Sequence, residues 1–249
     1  MDTDAIRERA PLTGTAGLTM RTDAWWVEPL LVVLLLGGFV VYATWAALQN
    51  AHYQHGNYLS PFYSPLFTPS WWPLSPAFLV LWAPAGFRLT CYYYRKAYYR
   101  AFLWDPPACA VREPRSGYHG ETQPPLVLQN LHRYFLYAAT LVLAFLWLDA
   151  IHGFIFDGRF GIGTGSLVLL ANAALLSLYT FSCHSFRHLV GGNLDCFSTC
   201  PTRYQTWRGV SRLNVHHALW AWISLWGVAL ADLYVRLLSM GVIRDVRVF

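Results

Sequence analysis

Charge is scarce in this sequence. Asp, Glu, Lys and Arg together make up 12% of its 249 residues, about half of what a soluble domain carries. With 55% hydrophobic residues, 17% aromatic residues and a positive mean hydropathy, this shortage excludes a soluble enzyme and describes an integral membrane protein. The segment Met1 to Asp23 has no short apolar core of the kind a signal peptide needs, so it reads as a mobile arm. No internal repeat or low-complexity tract is present. The five cysteines are an odd number, which rules out complete internal pairing. The net charge of +5 does not point to nucleic acid, because the basic residues sit beside apolar spans, where they act as topology signals and contacts to anionic lipid.

Five stretches are apolar enough and long enough to cross a bilayer as helices of about 20 residues. They run over residues 26–48, 76–94, 126–151, 163–186 and 213–238, the second with a kink expected at Pro84 and Gly86 and carrying Arg88. Lys and Arg are absent from the loop Asn50 to Ser75, whereas Arg7, Arg9 and Arg21 precede the first span and Arg95, Lys96, Arg100, Arg112 and Arg115 follow the second. Only Arg159 lies between the third and fourth spans, while Arg203, Arg208 and Arg212 precede the fifth. Positive charge is retained in the cytoplasm, so the expectation is an all-α, five-helix transmembrane bundle with its N-terminus inside and its C-terminus outside. Residues 1–24 form an arm, 25–240 the membrane domain and 241–249 a tail. Arg236, Arg244 and Arg247 run against the charge rule and are outweighed by the early spans. The aromatic loop Asn50 to Ser75 reads as a cap at headgroup depth. The Pro-rich segment Leu103 to Pro125 reads as irregular and suited to a soluble partner.

Placed by depth, the unusual side chains fall on one side. Arg88, Cys91 and Arg95, at i, i+3 and i+7, line one face near the inner end of the second span. His132 enters the third span from the inside, Cys183, His184, Arg187 and His188 leave the fourth there, and His216 and His217 enter the fifth there. His52, His55 and His152 fall on the outer side and carry no assigned chemistry. Ionisable groups at membrane depth persist where they bind or pair with something. Thiolate with imidazole suits iron–sulfur or zinc, and imidazole pairs suit haem. For each lone imidazole the plain alternative is an interfacial headgroup contact, favoured at His216. For Cys91 it is a small buried hydrophobe, and for Cys196 and Cys200 an incidental role.

Gly86-Phe-Arg-Leu-Thr-Cys-Tyr-Tyr-Tyr-Arg-Lys-Ala-Tyr-Tyr-Arg100, Pro106-Pro-Ala-Cys-Ala-Val111, Gln129-Asn-Leu-His-Arg-Tyr134 and Ser182-Cys-His-Ser-Phe-Arg-His-Leu-Val-Gly-Gly192 resemble the membrane-anchor subunit of actinobacterial-type succinate dehydrogenase. The likeness runs from Glu28-Pro29 to Asp232-Leu-Tyr-Val235. It implies a respiratory complex II in the cell's inner (plasma) membrane, with a flavoprotein and an iron–sulfur subunit at the cytoplasmic face and this chain as the site of quinone reduction. It also implies a Rieske-type [2Fe-2S] cluster, with ligands drawn from Cys91, Cys183, His132, His184, His188 and His217. Phe186 departs from the family pattern, which allows a second cysteine there. A quinone pocket beside the cluster would use Arg88, Tyr94, Arg187 and Trp220. Two rivals remain at this stage: haem b held by pairs drawn from His132, His184, His188 and His217, and a non-redox tether with structural zinc.

Overall fold

The computed structural model describes residues 16–114, 124, 126–192 and 196–248. The expected arm therefore lies largely outside the described residues, as does the part of the Pro-rich segment at 115–123 and 125. Eight helices are described: α1 (Val27–Gln49), α2 (Ala77–Leu89), α3 (Tyr92–Tyr98), α4 (His132–His152), α5 (Thr164–Phe181), α6 (His184–Gly191), α7 (Pro201–Val215) and α8 (His217–Ser239). Two small antiparallel hairpins accompany them, β1 (Gln54–His55) with β2 (Tyr58–Leu59) and β3 (Ile155–Phe156) with β4 (Arg159–Phe160). Four helical stretches are by themselves long and apolar enough to cross a membrane: Val27–Gln49, Val127–His152, Thr164–Phe181 and His217–Ser239.

The second expected span is not one helix. α2 has 13 residues, about 20 Å of rise, and it stops where the Thr90 hydroxyl donates back to the Gly86 carbonyl at 2.7 Å. Cys91 is then extended (φ −66°, ψ 130°) and starts α3. The fourth span breaks in the same way. Ser182 Oγ donates to the Tyr179 carbonyl at 3.0 Å, Cys183 is extended (φ −63°, ψ 143°), and its sulfur caps α6 by accepting from Ser185 N. A hydroxyl that bonds to its own preceding turn offers the backbone an alternative to continued helix. Consequently Arg88, Cys91 and Arg95 do not line one continuous face as their spacing suggests, and the fourth span ends at Phe181 rather than Phe186. A third break, at His216, separates α7 from α8, so the fifth span starts at His217 instead of 213.

The chain divides into two compact units, one within Met1–Gly38 and Cys91–Gln129, the other Phe39–Thr90 with Asn130–Phe249. In the first, residues 17–21 are tied to 109–112. Gly17 N donates to Arg112 O and Arg112 N to Leu18 O, Thr19 Oγ1 reaches Ala110 O, and Arg21 reaches Cys109 O. Arg21 also pairs with Asp23. The described end of the arm is thus bonded in place rather than mobile.

The second unit packs α5 against α8 and α4, and α4 against α2. Gly86 lets α2 approach α4: a Cβ there would lie 2.2 Å from Phe135 Cε1. The aromatic loop folds inward, with Tyr58, Phe62 and Tyr63 buried and Tyr63 OH bonded to the Ala46 carbonyl at the end of α1. At the same end the tail closes over the bundle. Asp245 accepts from Tyr58 OH at 2.7 Å, Tyr234 OH at 2.8 Å and Gly165 N at 2.9 Å. Burial first of all, opposed by Ser166 and reinforced by Asp245, pushes the Tyr58 phenol up to about 12, so it stays a proton donor.

Arg236 is not a topology signal. It is 2% exposed and bonded to Asp232, itself fully buried one helical turn earlier. Asp232 also accepts from Ser60 Oγ and from Tyr42 OH. Arg236 donates to the carbonyls of Ala51 and Ala46 and lies 5.2 Å from the Trp45 ring. In hydrocarbon such a charge persists only when paired and hydrogen-bonded.

Candidate redox site

The two Ser/Thr–Cys breaks each hold a histidine. Thr90 Oγ1 lies 2.9 Å from His132 Nδ1, at the first residue of α4. Ser182 Oγ lies 2.7 Å from His217 Nδ1, at the first residue of α8. A hydroxyl has one proton, and each of these already gives it to a carbonyl, Gly86 for Thr90 and Tyr179 for Ser182. Each hydroxyl therefore accepts from the imidazole, which fixes both histidines as Nδ1–H tautomers and leaves the lone pair on Nε2. At His132 that lone pair faces Cys183, with Nε2 3.0 Å from Sγ, both residues buried. Here the thiol donates to the ring.

Two rings connect the histidines. His132 stacks on Phe87 at 4.7 Å, Phe87 meets Tyr179 edge-on at 5.4 Å, and Tyr179 stacks on His217 at 5.1 Å. The Arg88 guanidinium lies 4.4 Å from the Tyr179 ring centre and donates to Ala221 O at 3.1 Å and Ser224 Oγ at 2.9 Å. A positive charge is thereby held over an apolar stack at the end of α2, where low polarity magnifies its field.

The other candidates are placed differently. Cys91 is buried and, with Tyr94, also buried, belongs to the first unit. It follows Thr90 directly in the chain, as Cys183 follows Ser182. His184 and His188 stand edge to face at 4.4 Å on α6, neither of them buried. Partial burial, then the neighbouring His188 and Arg187, lowers the His184 pKa below its ordinary value. Arg187 is committed to α7, bonded to Ser211 Oγ at 2.9 Å and 4.9 Å from the Trp207 ring. Trp220 is half-buried on the first turn of α8, its Nε1 shielded and without a hydrogen-bond partner among the described residues. His216 is exposed. Cys196, also exposed, contacts Ser198 Oγ, which lowers its pKa, and Cys200 is a free thiol. His152 ends α4, twenty residues from His132 and about 30 Å away, at the opposite end of the helix.

Among the described residues, no three or more His, Cys, Asp or Glu side chains are grouped to hold an ion. What is present is a repeated half-site, hydroxyl–Nδ1–imidazole with a cysteine next in the chain. Metal-bound histidines characteristically donate their other N–H in this way, and thiol with imidazole is the donor chemistry of an iron–sulfur or zinc centre. A void of about 40 Å³ lies against Phe87, Arg88, Tyr179 and Thr180. Thr90, Ser182, Phe87 and Tyr179 escaped the sequence reading, although the repeated Thr-Cys and Ser-Cys pairs were a visible signal.

Residues 27–241 match the family model described as actinobacterial succinate dehydrogenase subunit SdhC. Among solved structures the chain is similar to one from the Mycobacterium smegmatis Sdh1 complex in the apo form, at 45% identity over 96% of this chain and 97% of that chain, with a TM-score of 0.87. No match was found among curated proteins.

Proposed function

The chain belongs to the actinobacterial succinate dehydrogenase SdhC family, an integral membrane anchor within an oxidoreductase complex, and on that premise we propose that it is where quinone is reduced. In this reading it crosses the plasma membrane five times, the broken segment from α2 through α3 counting as the second crossing, with the N-terminus inside. Flavoprotein and iron–sulfur subunits dock at the cytoplasmic face and supply electrons from succinate. Each turnover adds two electrons and two protons to one quinone.

The repeated half-site carries the proposal. It supports Cys183, His132 and His217 as ligands of a Rieske-type [2Fe-2S] cluster in preference to the exposed His184 and His188, and the sequence pair Thr90–Cys91 repeats Ser182–Cys183. Such a cluster, when bound, supplies single-electron transfer at a raised potential. The residues of the chain do the rest. Thr90 and Ser182 hold both imidazoles with Nε2 outward, Cys183 loses its proton on metal binding, and the Phe87–Tyr179 stack keeps water out. Arg88, fixed by Ala221 and Ser224, places positive charge where a quinone oxygen gains negative charge.

Replacing Arg88 with leucine is expected to lower kcat/KM for quinone about a hundredfold, as loss of a preorganised electrostatic group does, with lysine recovering part of it. Full activity in the leucine variant would remove Arg88 from the site. The absorption spectrum of the reduced complex separates the cofactors: weak, broad iron–sulfur absorption is expected, and sharp haem bands assigned to this subunit would overturn the ligand set.

A further inference from the structure

A cleft of about 410 Å³ runs along the second unit between α1, α2, α4, α5 and α8, lined among others by Phe39, Ala43, Trp82, Ala85, Leu146 and Val228. Its α2 wall extends from Phe78 to Arg88, ten residues or about 15 Å of helix, half the thickness of a bilayer's hydrocarbon core. The cleft opens sideways toward lipid, where Val40 and Trp82 are more than half exposed. Its wall is apolar apart from Thr44 at one end and Arg88 at the other. A groove of this length with no polar group along its middle accepts a chain, not a headgroup. We propose that the cleft is the channel for the prenyl tail of the quinone, its mouth in the bilayer and its inner end at Arg88.

The lining favours a quinone over a bilayer phospholipid as the occupant. A phosphate head is held by charged donors, and Arg88, which already donates to Ala221 O and Ser224 Oγ, is the one charged residue in the lining of the cleft among the described residues. A neutral quinone ring needs only a single donor. The tail is already out of water when it lies in lipid, so the cleft gains little from the hydrophobic effect. It acts by shape, guiding the ring to one orientation.

This inference rests on the quinone-reducing reading, and the test separates the two. The purified complex would be assayed with a long-chain prenyl quinone and with the same ring lacking the tail, in the wild type and in Ala43→Phe and Leu146→Trp. The expected result is a fall of about tenfold or more in the ratio of kcat/KM for the long-tailed over the tail-free quinone. A quinone carrying a diazirine in its tail would be photolysed in the wild-type complex, which needs no variant to fold. Label is expected on α1 between Phe39 and Ala47 and on α2 between Phe78 and Ala85. An unchanged ratio with label elsewhere overturns the channel while leaving quinone reduction standing. A diazirine phospholipid that labels the same residues and is not displaced by quinone also overturns it, assigning the cleft to lipid. A wild-type complex that reduces neither quinone overturns the functional reading and the channel with it.

Discussion

Replacing Cys183 with alanine is expected to cut succinate-driven quinone reduction at least a hundredfold, the scale on which even the outer partners of metal ligands act. Cys183 does two jobs that a single substitution confounds. Its sulfur accepts from Ser185 N and so caps α6, and it faces His132 Nε2 at 3.0 Å. Serine separates them. A hydroxyl caps a helix at least as well as a thiol, so Cys183→Ser should restore α6 and thermal stability relative to alanine. It is a poor soft donor for iron, so the activity loss should persist. Reduction of a soluble dye by the extrinsic subunits reports that each variant complex has assembled. Recovery of quinone reduction in the serine variant would mean that the cysteine is only a cap.

The largest expected effect on stability lies at the other end of the bundle. Removing Asp232 leaves Arg236 buried with no counter-charge, and breaking a buried pair on one side costs roughly 3–5 kcal/mol. Asp232→Ala should therefore unfold at markedly lower temperature or denaturant in detergent. Asp232→Ala with Arg236→Met should recover much of the loss, because no unpaired charge remains. Ser60 and Tyr42 would still lose an acceptor, so the recovery is incomplete. Equal losses in the single and double variants would contradict the pair as the reason for burial.

What the sequence could and could not disclose follows from the range of the forces involved. Long uninterrupted apolar runs disclosed four spanning helices, and family likeness disclosed the anchor role. Helix ends were less legible. Pro84 and Gly86 suggest a kink within the second span, and the helix does run through both; what ends it is Thr90, where a single side-chain hydroxyl turns back on the Gly86 carbonyl. Ser182 does the same to Tyr179, and hydropathy is blind to either bond. The i, i+3, i+7 spacing of Arg88, Cys91 and Arg95 misled for that reason, since periodicity is informative only while a helix continues. Arg236 was weighed as a topology charge because its partner was overlooked. Asp232 stands four residues earlier on the same helix, a spacing that places both on one face. The contact of His132 with Cys183 joins residues 51 apart, which no local pattern can specify.

The central claim is that Cys183 and the two hydroxyl-held histidines, His132 and His217, ligate a two-iron centre in this subunit. A redox titration of the intact complex followed by low-temperature electron paramagnetic resonance tests it most directly. The account predicts a two-iron signal titrating in the range of about −150 to +300 mV characteristic of mixed cysteine and histidine ligation, present in the wild type and lost in both Cys183→Ser and His132→Ala. A complex that reduces quinone at full rate with no such signal, or whose signal survives both substitutions, would contradict it.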